Sequence, residues 1–63
     1  MDEQLDEGDH VRITAWGMEG MRGTLVRRTR LPNLRRAWLV QLDEPVRGRE
    51  RVVVAARKVE RSV

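Results

Sequence analysis

The 63-residue chain contains no cysteine, phenylalanine or tyrosine, and only one histidine (His10) and one serine (Ser62). Without cysteine it forms no disulfide, offers no thiol nucleophile and builds no thiolate-ligated zinc site, which suits a reducing compartment. With so few candidates for a nucleophile oriented by a base, a hydrolytic triad is excluded on residue types alone. His10 lies beside Asp9 on the polar face of a strand and reads as an exposed structural residue. The adjacent carboxylates Asp43 and Glu44 border a turn with Arg47, Arg49 and Arg51 nearby, and read as turn residues and ion-pair partners. Asp2, Glu3, Asp6 and Glu7 lack the glycine and ligand spacing of a calcium loop. The expectation is a non-enzymatic protein with no metal and no cofactor. Two tryptophans are the only aromatics, too few for the aromatic groove that reads proline-rich peptides or for a methyl-lysine cage. No apolar run is long enough to span a bilayer. The start of the chain, residues 1–7, is acidic where a signal peptide is basic and then apolar, so we expect a soluble, cytoplasmic protein with no membrane partner.

A chain of this length makes one domain and hides only about 60% of its unfolded surface, so each large apolar side chain is needed for the core. The charge is unevenly placed. Residues 1–9 carry five acids and no base, which leaves thirteen bases against five acids in the rest. From Gly20 to Leu42 there are six arginines and no acid, so the middle of the chain presents a positive surface. Twelve of the thirteen bases are arginine, whose planar guanidinium suits bidentate contacts to phosphate and stacking on bases. A genome rich in G and C also writes arginine wherever a solvated cation is wanted, and composition does not separate the two.

Residues 1–7 lack β-branched and aromatic side chains and read as a flexible acidic arm, or one loose helical turn, ahead of a domain over residues 8–63. A first strand is expected from His10 to Ala15, with Val11 and Ile13 inward. A loop follows with Gly17, Gly20 and Gly23 at backbone angles that only glycine adopts freely. Thr24 to Arg30 reads as a second strand with Val26 at an edge and Arg27-Arg28-Thr29-Arg30 solvated. Leu31 to Arg36 reads as a loop, with two leucines unusual for a solvated one. Ala37 to Leu42 reads as a third strand with Trp38, Val40 and Leu42 inward and Leu39 on the other face. Asp43 to Glu50 reads as a polar turn, and Arg51 to Ala55 as a fourth strand whose consecutive valines suggest burial on more than one side. One helical turn over residues 55–58 and a last strand, Val59 to Arg61, complete the chain. The apolar period is two nearly throughout, so the class is all-β.

The spacing Gly8-Asp9-x-Val11-x-Ile13, followed by Gly20-x-x-Gly23-x-Leu25, resembles the KOW motif. That motif is the glycine-punctuated hairpin of SH3-like barrels in ribosomal proteins and transcription elongation factors. Where the family usually has a further glycine, four residues before the middle one, this chain has Trp16 with Gly17 following. The resemblance implies a small five-stranded SH3-like barrel with Leu25 inward. It also implies a first loop, here Trp16, Met18, Glu19, Met21 and Arg22, that contacts nucleic acid. Any tight β-hairpin needs glycines, and on that plainer reading the spacing implies a small β domain without a nucleic-acid ligand.

A basic surface, an aromatic in a loop and glycines that admit close backbone approach are the means of single-stranded or structured RNA recognition. The candidate nucleic-acid-binding residues are therefore Trp16, Arg22, Arg27, Arg28, Arg30, Arg35 and Arg36. The expected partner is RNA, a ribonucleoprotein or single-stranded nucleic acid, since no recognition helix is present for the major groove. Trp38 reads as core, whereas Trp16 packs over the domain end or stands out as a stacking platform. The alternative is a protein-interaction module or accessory subunit that docks its basic face on an acidic protein partner, for example as a phage- or plasmid-encoded regulator. Part of a larger enzyme is a third class. Flexible Met18 and Met21 suit a protein surface. The acidic arm either folds back on the arginines as a decoy or only solubilises the chain.

Overall fold

The alternating pattern folds into strands β1 (His10–Ile13), β2 (Arg22–Arg30), β3 (Arg36–Val46), β4 (Arg49–Ala55) and β5 (Val59–Arg61), with one 3-10 turn, Ala56–Lys58, before the last. The structure is a computed structural model, and it describes residues 5–62. All neighbouring strands are antiparallel in a single sheet of order β4-β3-β2-β1-β5. Among the described residues there is no α-helix, and no helix long and apolar enough to cross a membrane. No ladder joins β4 to β5, so the sheet is open. Flat, those two outer strands would lie about 19 Å apart. The chain from Ala55 to Val59 reaches at most about 14 Å, so the sheet is strongly coiled.

One face carries the core: Val11, Ile13, Leu25, Trp38, Val40, Leu42, Val54 and Val59 form a single buried cluster. Each is an inward position of the period-two pattern, and Trp38 is only 5% exposed. Cross-strand partners share a face, so the register fixes the neighbours: Leu25 lies opposite Val40, Ile13 opposite Val59 and Trp38 opposite Val54.

Several expectations are corrected. The first strand ends at Ile13 rather than Ala15, because the Thr14 amide donates to Lys58 O (2.7 Å) and Ala15 O accepts from Met18 in the loop. Gly17 and Gly20 have positive φ (84° and 85°), but Gly23 does not. It lies inside β2, where a Cβ would overlap the Gln41 carbonyl and come within 2.8 Å of Val40 Cγ1, so glycine is needed there for close strand approach. The expected turn over residues 43–50 shrinks to Arg47-Gly48, both at positive φ (51° and 78°), with Val46 opposite Arg49. Asp43 to Val46 continue β3, and Pro45 is tolerated because it falls in the register break between Gln41 and Val46. The valine run of β4 buries Val54 alone, while Val53 is 47% exposed on the outer face opposite Leu39. Of the acidic segment expected over residues 1–7, the first four lie outside the described residues. Leu5 packs against the core and Asp6 is hydrogen-bonded to Arg28.

Candidate nucleic-acid interface

The arginines of β2 are distributed by a bulge. Leu25 pairs with Val40 and Arg27 with Leu39, so Val26 is the extra residue and the inward phase passes to Arg28. Arg28 lies opposite Trp38 and covers the end of the core, its guanidinium 4.9 Å from the Trp38 ring centroid. Two residues on, Arg30 shares that face and lies opposite Arg36. Arg27 points to the other face with Leu39, as does Arg22 with Arg12. The six arginines thus do not form one surface.

Two cross-strand pairs set arginine directly against arginine, an arrangement that destabilises a sheet unless an anion intervenes. Arg12 and Arg22 form one, and there Glu60, opposite Arg12 on β5, accepts from Arg12 Nε (2.9 Å) and also from its Nη2. Arg30 and Arg36 form the other, and no carboxylate reaches it among the described residues. Arg30 Nη1 donates instead to Leu34 O (3.0 Å). Arg35 adds a third guanidinium at the tip, where its amide donates to Asn33 Oδ1 (3.1 Å) and its carbonyl accepts from Leu31 N (2.9 Å). That tip also holds Leu34 at φ 68° and 73% exposed. Among the described residues, only Arg28 of the hairpin from Arg27 to Arg36 has a carboxylate, Asp6 Oδ1 at 2.9 Å. Asp6 lies outside the predicted binding residues, because its contact joins positions 22 apart in sequence, a pairing that only the decoy reading of the acidic arm admits.

The glycine loop lies at the opposite end of β2. Its base is closed by Ile13 N to Met21 O (2.7 Å) and Gly20 N to Ile13 O (3.0 Å), and Trp16 stands out at 92% exposure. The nine residues of β2 place this loop about 26 Å from Arg30. An open groove of about 450 Å³ beside the loop is lined by Glu19, Met21, Arg22, Asp43, Glu44 and Val46. Three carboxylates there face one guanidinium, which makes this end unfavourable to phosphate. Trp16 and Arg22 are therefore separate from Arg28, Arg30, Arg35 and Arg36, and only an extended ligand touches both ends.

Of the remaining candidates, His10 faces Thr24, with Nδ1 3.4 Å from the hydroxyl. No cluster of three or more metal-ligating side chains occurs among the described residues. No family model, curated protein or solved structure matches the chain.

Proposed function

We propose that this chain is a non-enzymatic nucleic-acid-binding module for RNA or a ribonucleoprotein, which grips phosphate through the β2–β3 hairpin. The Arg30–Arg36 pair, which no carboxylate reaches among the described residues, carries this reading. Like charges held opposite each other in a ladder weaken it, and a phosphate between them turns that cost into a charge-assisted contact. Arg28 extends that face, Arg35 the tip and Arg27 the opposite face, while a strand long enough to run the length of β2 reaches Trp16 as a stacking platform. The fold that goes with this function is an SH3-like barrel of the KOW type. The strand order and the short link that coils β4 towards β5 support it, and a cytoplasmic setting accompanies it.

The test is a titration with mixed-sequence single-stranded RNA across salt concentrations. If four phosphates are neutralised, log affinity falls against log salt with a slope of about −3, and replacing Arg30 and Arg36 together by glutamine makes it shallower by about 1.4. Absence of binding to RNA and single-stranded DNA at low salt overturns the proposal. The exposed Leu34 between arginines favours a second reading, an acidic protein with an apolar pocket, which co-purification with the hairpin variants as controls identifies.

A further inference from the structure

The segment Leu5–Asp9 is folded onto the sheet by its own hydrogen bonds. Asp9 N donates to Asp6 O (3.1 Å) and Asp6 N to Asp9 Oδ2 (2.9 Å), closing a turn in which Gly8 has φ 92°. Gly8 N donates to Leu25 O (2.8 Å) and Leu25 N to Asp9 O (3.0 Å), so the turn is registered on β2 itself. Leu5 packs against the core. The consequence falls at Arg28, whose Nη2 donates both to Leu5 O (3.1 Å) and to Asp6 Oδ1 (2.9 Å) while the guanidinium lies over Trp38.

From this placement we infer that Asp6 is a built-in competitor for nucleic-acid phosphate at Arg28, released when the hairpin binds. The inference rests on the function proposed above. A carboxylate and a peptide carbonyl occupy donor positions that a phosphate's oxygens satisfy as well, on a guanidinium already oriented by an aromatic ring. The Asp6 and Arg28 side chains are 75% and 64% exposed, so the pair is weak and open to exchange rather than a structural lock. The turn contributes only the backbone of Asp6, so exchanging its carboxylate leaves the segment's own hydrogen bonds in place.

The experiment compares the full-length parent with Asp6→Asn, Glu7→Gln, Arg28→Gln and the Asp6→Asn/Arg28→Gln double variant, each titrated with the same single-stranded RNA after a thermal melt confirms folding. Asp6→Asn is expected to tighten binding about two- to fivefold at low salt and to steepen the salt slope by about 0.7. Glu7→Gln removes the same charge one residue away and is expected to change affinity by less than about twofold. The gain from Asp6→Asn is expected to vanish in the Arg28→Gln background, since a specific mask needs both partners. Equal gains from Asp6→Asn and Glu7→Gln, or a gain that survives without Arg28, overturn the competitor and leave the binding module standing. Failure of the parent and of every variant to bind overturns both.

Discussion

The two ends of β2 each set one arginine against another, yet they are built for different ends. At the start of the strand Arg12 and Arg22 are accompanied by Glu60, and the neighbouring groove adds Glu19, Asp43 and Glu44. At its far end Arg30 and Arg36 meet with no carboxylate among the described residues, under a tip that holds Leu34 in a strained and exposed position. A sheet selected only for stability would compensate both ends. On the proposed function, a nucleic-acid phosphate is the anion that this end lacks among the described residues, and binding recovers the stability forgone there.

The largest way to break the comparison is to remove the support of the far end. Trp38→Ala is expected to cost about 3 to 5 kcal/mol, because it empties the core beneath Arg28, and denaturant unfolding reads the loss. An unchanged midpoint would show that the ring is not needed there. Gly23→Ala acts at the near end, where the added Cβ meets the Gln41 carbonyl and Val40. Overpacking of this kind costs about 1 to 3 kcal/mol, and a variant as stable as the parent would show that β2 and β3 do not approach so closely.

Smaller effects sharpen the contrast. Arg36→Gln is expected to stabilise the fold by about 0.2 to 1 kcal/mol by removing a like charge opposite Arg30, while weakening RNA binding. Loss of stability and unchanged binding together would remove the basis of the proposed function. Trp16→Ala is expected to change stability by less than about 0.5 kcal/mol, since the ring is 92% exposed. If an extended strand reaches it, binding weakens by about 1 to 3 kcal/mol. Oligonucleotides too short to span β2 should bind the parent and the Trp16→Ala variant equally.

Much of the fold was legible because its cause is local. Val11, Ile13, Trp38, Val40 and Leu42 recur at the period of a half-buried strand, and burial followed that pattern, while Leu25 was expected inward from the resemblance. The single turn before Val59 and the last strand were likewise readable from a short helical stretch between apolar positions. The β4 valines misled because three consecutive β-branched residues look the same whether one face or two are covered. The turn over residues 43–50 misled because proline normally interrupts a ladder, and only the register break beside it shows that no donor was needed.

By itself the sequence determined the all-β class, the inward residues of the first and third strands, and a stretch of arginines without acids. Those follow from side-chain alternation, glycine and charge, which act over a few residues. Tertiary structure alone decided that Gly23 serves close approach, that the bulge at Val26 lays Arg28 over Trp38, that Arg30 meets Arg36 with no carboxylate among the described residues, and that Asp6 returns to Arg28. The first three depend on the register of β2 against β3, where a shift of one residue sends every side chain to the opposite face, and the last on a contact between positions 22 apart in the chain.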